Sequence, residues 1–437
     1  MKITDMIVTP VAIADAPLRN SVGIHEPYVN RIVLELVGEN GLSGFGEASY
    51  STRTFEDLVA LRPDVIGLDT ANLNAILKVV DEHLGSPDEN NLDPVFKNFD
   101  LTPRLTNSAV ARTYSPIEVA ALDLSGRAWG VPVSELLGGR TRDAVPFSAY
   151  LFYKHAGGGG EGIDDVRKDL YGEAMTPDAI VAQARQMIDA YGFRSIKLKG
   201  GVHPPDVEIA TIGALRDVFG PDVPLRIDPN CAWTVETSVY VGTELATTLE
   251  YFEDPTPGIN GMSAVRISLL ERGINMPLAT NMCVTGFNDV PESIAKDAVQ
   301  VILGDHHYWG GLRAVVELSR ICSTFGIGIS MHSNSHLGIS LMAMAHLAAA
   351  IPTMTYDADT HYPWLHEDDE ITSGGKIGFV DGCVIVPMTP GLGFEIDRDA
   401  LQRGHERFQR CSYRDRDDVV YMQRTVDPNW EKLLPRW

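Results

Sequence analysis

The sequence predicts an α/β protein, a (β/α) barrel of the TIM type that carries a separate α+β domain at its N-terminal end. With 437 residues, the chain is too long for one ordinary hydrophobic core. Between about 146 and 385, short apolar strand patterns alternate with helical patterns, and a polar or charged residue ends each strand pattern. These residues are Lys199, Asp228, Glu253, Asn281, Asp305 and His332. Successive members are 29, 25, 28, 24 and 27 residues apart, about one βα unit each, and so many units in a row favour a closed barrel over an open sheet.

The flanking segments indicate a second, smaller unit. Residues 1–135 mix strand and helix patterns, and two apolar runs, RIVLELVG and LSGFGEA, are joined by Asn40 and Gly41, a strong hairpin signal. Residues 386–437 contain a strand pattern, PGLGFEI, and a charged helical pattern, RDALQRGHERFQR. We therefore predict an α+β domain over 1–135, the barrel over 136–385 and a C-terminal segment over 386–437. Because no low-complexity linker separates them, these zones are expected to pack together.

Composition narrows the class of protein and of partner. The 36 Lys and Arg residues against 59 Asp and Glu give a net charge of −23, which disfavours nucleic acid and anionic membranes as partners. The five cysteines are widely spaced without a CxxC pair, so neither a disulfide framework nor a zinc site is indicated and a reducing cytoplasm fits best. The beginning of the chain has no long apolar signal region, and the apolar stretch 337–354 contains His346 and Pro352. That stretch predicts a buried helix and no membrane span.

The polar residues at the strand ends indicate a metal site. A single Asp or Asn after a strand is usually a turn residue or a helix cap, and Asn281 alone could equally be a side-chain amide in a turn. Six such residues in succession, lysine and histidine among them, are instead typical of the barrel face on which active sites lie. Asp228, Glu253 and Asn281 offer three hard oxygen ligands from adjacent strands, which suits Mg²⁺ completed by water and substrate oxygens.

Two lysines, Lys197 and Lys199, stand two residues apart in the pattern SIKLKGG and therefore point to the same side of the strand. They could be two solvated lysines of an edge strand. At the mouth of a barrel, a second lysine and a metal ion would disfavour the charged form of Lys199 and make it a usable base. His332 lies one strand beyond Asp305, which could orient its imidazole. Two bases across a metal site suit the removal of a proton α to a carboxylate.

Six motifs of the sequence carry a resemblance to a known family. They are IKLKGG (196–201), RIDPNCAW (226–233), FEDP (252–255), PLATNM (277–282), HSNSH (332–336) and DTHYPW (359–364). On these motifs, and over almost the whole chain, the sequence resembles the enolase superfamily and within it the glucarate dehydratase group. The lysine pair is widespread in that superfamily, whereas ATNM, with Asn281 where most relatives have a carboxylate, is far more specific. The resemblance implies a modified TIM (β/α) barrel whose N-terminal α+β capping domain is completed by the C-terminal segment.

The resemblance also implies roles for single residues. Asp228, Glu253 and Asn281 match the Mg²⁺ ligands. Lys199 matches one base and His332 with Asp305 the other, while Lys197 and Asn230 match residues beside the reacting centre. The expected substrate contacts are His25, Thr102, Tyr150, Lys197, Asn230, Asn334, His361 and Arg416. Thr106 is an alternative to Thr102, and Arg414 is an alternative to Arg416. The sequence departs from the family pattern in segment 86–113 and at His306, where a proline is common.

From these roles we expect an acid-sugar (aldarate) dehydratase, a hydro-lyase that converts D-glucarate to 5-dehydro-4-deoxy-glucarate, with some C5 epimerisation to idarate. The alternatives are a dehydratase for another acid sugar such as galactarate, an epimerase or racemase of the same superfamily, and a non-catalytic sugar-acid binder. Two bases argue against the binder, because binding needs the metal but neither Lys199 nor His332. We expect a homo-oligomer whose partner is a small-molecule acid sugar.

Overall fold

The computed structural model describes residues 1–84, 108–163 and 166–437. The first strands of the chain form an antiparallel sheet with the order β1-β2-β3. Its strands are β1 (Ile3–Ala14), β2 (Tyr28–Gly38) and β3 (Ser43–Ser49). The hairpin predicted at Asn40 and Gly41 is confirmed, because β2 pairs with β3 across this turn and Gly41 adopts a φ of 78°.

Helices pack closely against this sheet. They are α1 (Thr52–Val65), α2 (Leu73–Leu84) and α3 (Ser108–Trp129). Two glycines of β3 make the approach of α3 possible: a Cβ atom on Gly46 would lie 2.0 Å from the carbonyl oxygen of Pro116, and one on Gly44 would lie 2.2 Å from that of Ala120. Any larger residue at these positions would push the helix off the sheet.

The larger part of the structure is a curled parallel sheet, in which the described residues form seven strands in sequential order. The strands are β5 (Ala149–Phe152), β6 (Ile196–Lys199), β7 (Leu225–Asp228), β8 (Leu249–Glu253), β9 (Leu278–Thr280), β10 (Val301–Leu303) and β11 (Gly328–Ser330). The helices of this region are α4 (Val133–Leu136), α5 (Pro177–Tyr191), α6 (Pro205–Phe219), α7 (Val235–Glu244), α8 (Gly258–Glu271), α9 (Val290–Ala295), α10 (His306–Trp309), α11 (Leu312–Phe325) and α12 (Gly338–Ala350). The predicted succession of βα units is therefore confirmed.

An extended segment, 355–359, closes the sheet into a barrel. On one side the Asp359 N–H donates to the Met331 carbonyl oxygen (3.0 Å), just beyond β11. On the other side the Ser148 N–H donates to the Ala358 carbonyl oxygen (2.9 Å), just before β5. Just before β5 in the chain, β4 (Ala144–Pro146) forms an antiparallel pair with β12 (Cys383–Ile385). The segment joins the two outer strands of the parallel sheet, as the predicted closed barrel requires.

The apolar stretch 337–354 contains α12, which is buried over its whole length, so the predicted buried helix is confirmed. Within residues 1–84, 108–163 and 166–437, no helix combines the length and the apolarity needed to cross a membrane. All five cysteines of the sequence are free thiols, and no disulfide framework was predicted from their spacing.

The C-terminal segment returns to the N-terminal sheet and completes the cap. Its helices are α13 (Arg398–Arg410) and α14 (Asp418–Thr425), and they follow two 3₁₀ turns, Tyr362–Trp364 and Glu367–Asp369. The Arg407 guanidinium donates to the Ala12 carbonyl oxygen of β1 (3.0 Å). The strand predicted at PGLGFEI is wrong: Gly391 and Gly393 have φ values of 73° and 84°, and such left-handed backbone cannot continue an extended strand.

Candidate active site

A cavity lies where the carboxyl ends of the barrel strands meet the cap. Nine residues predicted from the sequence line this cavity: His25, Tyr150, Lys199, Asn230, Asn281, His332, Asn334, His361 and Arg416. Four others stand directly behind its wall and are buried: Lys197, Asp228, Glu253 and Asp305. Thr102 and its alternative Thr106 lie outside the described residues. The N-terminal domain, the barrel and the C-terminal segment thus each contribute to one cavity.

The two lysines of β6 are both buried and occupy different positions in the site. Lys197 Nζ lies 2.5 Å from Asp359 Oδ2 and 2.7 Å from Glu253 Oε1. Burial alone would lower the pKa of Lys197, but Asp359 and Glu253 raise it well above its usual value. Lys199 Nζ lies at the cavity wall, 2.5 Å from Asp228 Oδ2 and 2.7 Å from the side-chain oxygen of Asn230.

The burial and the carboxylate contacts of Lys197 and Lys199 decide between the two interpretations of these lysines. The alternative of two solvated lysines on an edge strand is wrong, because β6 lies between β5 and β7 and both side chains are buried. Since two carboxylates neutralise the charge of Lys197, its repulsion of Lys199 is weaker than that of an unpaired lysine. The carboxylate Asp359 belongs to the DTHYPW motif, but its contact with Lys197 could not be inferred from that motif.

The three residues predicted as oxygen ligands of a metal lie at the carboxyl ends of three adjacent strands, β7, β8 and β9. Burial by itself would raise the pKa of Asp228, but Lys199 and Lys197 lower it to about 2. Burial raises the pKa of Glu253 well above its usual value, against the opposing effect of Lys197. Among the described residues, the buried side-chain oxygen of Asn281 has no hydrogen-bond partner. An unsatisfied amide oxygen beside two carboxylates fits a hard divalent cation.

The charge balance of the cluster supports the same fit. Within the described residues, the ammonium groups of Lys197 and Lys199 lie against the carboxyl groups of Asp228, Glu253 and Asp359. Arg226 also lies 3.9 Å from Asp359, but it is paired with Glu250 at 2.6 Å, so four carboxylates stand against three cations. The cluster therefore carries at least one negative charge in excess when all of these groups are ionised. Burial is the main reason why the pKa of Glu253 is raised, and the charges of Asp228 and Asp359 raise it further. A bound divalent cation would oppose both effects.

Asp254 is a buried residue of the site that the sequence analysis missed. Its φ of 35° lies in the left-handed region, and its Oδ2 accepts a hydrogen bond from the Asn281 N–H (2.8 Å). Its Oδ1 accepts from the Thr280 hydroxyl (2.5 Å). Burial and the charge of Asp228 raise the pKa of Asp254 to about 7. Asp254 therefore fixes the backbone of a predicted metal ligand, and its position directly after Glu253 in FEDP was the available signal.

The second predicted proton-transfer group, His332 with Asp305, is held by a network of hydrogen bonds. His332 Nδ1 lies 2.9 Å from Asp305 Oδ2, which leaves Nε2 of this imidazole as its other nitrogen at the cavity. The other oxygen, Asp305 Oδ1, lies 2.8 Å from the ring Nδ1 of His307. Although burial opposes ionisation, His307 and His332 hold the pKa of Asp305 well below its usual range. The predicted pairing of His332 with Asp305 is present, and His307 is an additional residue that the sequence analysis did not single out.

Side chains from the cap and from the C-terminal segment also line the cavity. His25 Nδ1 lies 3.0 Å from Asp15 Oδ2, and Arg416 pairs with Asp418 at 2.9 Å. Arg416, and not its alternative Arg414, lines the cavity, because the Arg414 guanidinium donates to the carbonyl oxygen of Cys411 instead (2.7 Å).

Further polar side chains line the same cavity. Within the described residues, the Tyr150 hydroxyl and His361 Nδ1 are buried and have no hydrogen-bond partner. Burial lowers the pKa of His361 well below its usual value, with a smaller effect of His25, so its imidazole is neutral. The amide nitrogen of Asn334 donates to the Tyr308 hydroxyl (2.6 Å), so this hydrogen bond does not use the amide oxygen of Asn334. Tyr308 also lines the cavity and was not predicted.

Comparison with known proteins identifies the family to which these parts belong. Residues 3–138 match the model of the mandelate racemase/muconate lactonizing enzyme N-terminal domain, and residues 179–400 match that of the enolase C-terminal domain-like family. The chain belongs to the enolase superfamily. Within the superfamily it falls in the glucarate dehydratase group: it is 44% identical to the probable glucarate dehydratase of Streptomyces coelicolor over 100% of this chain and 99% of that protein.

Solved structures of superfamily members have the same fold. The enolase of Thermobispora bispora complexed with magnesium and formate is 48% identical, with a TM-score of 0.93 and complete coverage of both chains. The enolase of Mycobacterium smegmatis complexed with tartrate is 51% identical, with a TM-score of 0.90 over 100% of this chain and 98% of that one. The predicted family and fold class are thus confirmed, and the chain is an enzyme of this superfamily.

Proposed function

We propose that this enolase-superfamily enzyme is an acid-sugar dehydratase, a hydro-lyase that acts on D-glucarate. The observation that carries the proposal is the presence of two proton-transfer groups, Lys199 and His332 with Asp305, on one cavity beside three oxygen ligands. Such a cavity suits removal of a proton α to a carboxylate. The 44% identical probable glucarate dehydratase supports an acid sugar as the substrate.

Asp228, Glu253 and Asn281 are proposed to hold Mg²⁺. The unsatisfied amide oxygen of Asn281 and the excess negative charge of the carboxylate cluster fit this ion, and three solved relatives contain magnesium. When bound, Mg²⁺ supplies the positive charge that stabilises the negative charge developing on the substrate carboxylate during proton removal.

The chain's own residues carry the proton transfers. Lys199 or His332 removes the C5 proton, and the configuration at C5 decides which of the two faces it. His332, oriented by Asp305, then donates a proton to the C4 hydroxyl as it departs, so that one molecule of water is lost. Reprotonation of the resulting enol gives 5-dehydro-4-deoxy-glucarate. If the opposite base instead donates its own proton to C5 before elimination, the C5 epimer L-idarate is formed.

The far end of the cavity is proposed to bind the second carboxylate and the hydroxyl groups of the sugar. Arg416 and His25 are proposed to bind these groups, and both side chains are held by carboxylates. The Tyr150 hydroxyl and His361 Nδ1 have unsatisfied hydrogen-bonding capacity for substrate hydroxyls. Further contacts are proposed for Asn230, Asn334, Lys197 and Thr102.

The experiment is a screen of six-carbon diacid and monoacid sugars with Mg²⁺, in which formation of a keto acid is measured. We expect turnover of D-glucarate, loss of turnover in EDTA, and recovery with Mg²⁺ but less with Zn²⁺. Undiminished turnover after dialysis against EDTA would overturn the metal-assisted mechanism.

The same screen separates the alternatives. Faster conversion of galactarate would change the substrate, and C5 epimerisation without a keto acid would make the protein an epimerase, which the presence of two bases favours as the second candidate. Binding of an acid sugar without turnover or α-proton exchange would make it a binder. We also propose a cytoplasmic homo-oligomer with the domain boundaries 1–135, 136–385 and 386–437.

A further inference from the structure

The carboxylate of Asp305 is shared between two histidines, and one of them lies outside the cavity lining. Asp305 Oδ2 lies 2.9 Å from His332 Nδ1. Asp305 Oδ1 accepts the backbone N–H of His307 (2.8 Å) and lies 2.8 Å from His307 Nδ1. His307 is buried behind the cavity lining, so it can affect the substrate only through another residue.

Contacts with the cap strand β2 and with the barrel helix α12 define the tautomer of His307. Its Nε2 lies 3.5 Å from the Arg31 guanidinium and 3.0 Å from the Ser340 hydroxyl. Because a guanidinium can only donate, Nε2 acts as the acceptor and the ring proton is on Nδ1, from which it is donated to Asp305. Arg31 is fixed in turn by Glu47 (2.7 Å), which also accepts the Ser340 N–H (3.0 Å).

We infer that His307 is a positioning residue that fixes the orientation of Asp305 and, through Asp305, that of the base His332. A continuous hydrogen-bonded chain then runs from Arg31 in the cap strand β2 to one of the two bases. Lys199 is bonded to Asp228 and Asn230 and has no part in this chain. Loss of His307 should therefore impair one base and spare the other.

This inference rests on the proposed function, and exchange of the substrate C5 proton in D₂O tests it. His332→Ala and Lys199→Ala first assign each C5 epimer, D-glucarate or L-idarate, to one base. His307→Leu removes the ring donor but keeps the backbone N–H bond to Asp305. We expect exchange of the epimer that depends on His332 to slow roughly 10- to 100-fold, as for other residues that orient a functional side chain. Exchange of the Lys199-dependent epimer should change less than about threefold.

Two further variants separate positioning from a general structural effect. His307→Asn should recover most of the lost exchange, because the amide nitrogen of Asn stands as many bonds from Cα as the ring Nδ1. His346→Leu is the matched control: His346 is also buried, and both of its ring nitrogens lie within 3.3 Å of backbone atoms far from Asp305. It should lower the midpoint of urea unfolding without changing the ratio of the two exchange rates. Equal slowing of both epimers in His307→Leu, or no recovery in His307→Asn, overturns the inference.

A measurement without substrate keeps this test distinct from that of the proposed function. In protein labelled with ¹⁵N-histidine, the hydrogen-bonded N–H signal of His332 is assigned by its loss in His332→Ala. We expect this signal to broaden or disappear in His307→Leu and to return in His307→Asn. An unchanged signal in His307→Leu overturns the positioning role, whereas a wild-type protein that exchanges no acid-sugar proton overturns only the proposed function.

Discussion

Replacing Lys197 by Met should make the stability of the enzyme depend on pH and on Mg²⁺. The Lys197 ammonium group is fully buried and lies within 2.7 Å of both Glu253 and Asp359. Met has a similar length, so the main loss is the positive charge between two buried carboxylates. Removing one partner of a buried ion pair costs about 3–5 kcal/mol of unfolding free energy. We expect a loss of that size at pH 8 without a divalent cation.

The pH dependence of this loss follows from protonation of the remaining partner. The pKa of Glu253 is already raised by burial in the wild-type protein, and removal of Lys197 raises it further. Between the unfolded pKa and this raised value, the folded state binds more protons than the unfolded chain. The unfolding free energy of the variant should therefore fall as the pH rises, by up to about 1.4 kcal/mol per pH unit, and the loss should be smaller at pH 5.5 than at pH 8.

Urea unfolding of both proteins at pH 5.5 and pH 8, with and without Mg²⁺, measures these effects. Mg²⁺ should restore more stability to Lys197→Met than to the wild type, because the cluster of the variant is more negative by one charge. Lys154→Met is the matched control: this buried lysine pairs with Asp169 in a loop away from the cluster. Its stability should not respond to Mg²⁺ more than that of the wild type. A loss below about 1 kcal/mol in Lys197→Met, or one independent of both pH and Mg²⁺, would refute the compensating role of Lys197.

Three further outcomes are expected. Burial raises the pKa of Glu118 and of Glu208 to about 7, so both hold protons in the folded state that the unfolded chain has released. The contribution of each to the unfolding free energy should therefore fall between about pH 4.5 and pH 7. The stability of Glu118→Gln relative to the wild type should rise over this range, and a constant difference in urea titrations would contradict this. Tyr308→Phe releases the amide of Asn334, and loss of one hydrogen bond should raise KM about two- to tenfold with little change in unfolding; steady-state kinetics that show an unchanged KM would speak against a role for this contact. His25→Ala should reduce acid-sugar turnover much more than stability, whereas equal losses in turnover and in thermal unfolding would make His25 a structural histidine.

The regular part of the fold could be predicted because it depends on local patterns. Apolar strands of four or five residues, separated by helical segments, recur at intervals near 27 residues, and such units form a parallel barrel. The prediction of a strand at PGLGFEI was wrong for a different local reason. Its apolar residues suggested a strand, but Gly391 and Gly393 adopt left-handed backbone conformations that composition alone does not specify.

The residues at the strand ends could be predicted as a group because the carboxyl ends of parallel strands lie on the same face of a barrel. Residues that act through a neighbour could not. His307 and Tyr308 closely follow the predicted Asp305, and Asp359 begins the motif DTHYPW, but their partners Ser340, Asn334 and Lys197 are 26 to 162 residues away in the sequence. Their roles depend on contacts that form only when the barrel closes.

In the sequence, strand periodicity and residue type determined the barrel and the set of candidate catalytic groups, while the resemblance of six motifs indicated the family and its capping domain. Only the tertiary structure decided which groups meet. It placed Arg416 rather than Arg414 at the cavity, neutralised Lys197 with Glu253 and Asp359, and linked Asp305 to the cap through His307. The physical reason is that charge and hydrogen bonding act over a few ångströms in space, whereas the partners concerned come from strands, loops and helices far apart along the chain.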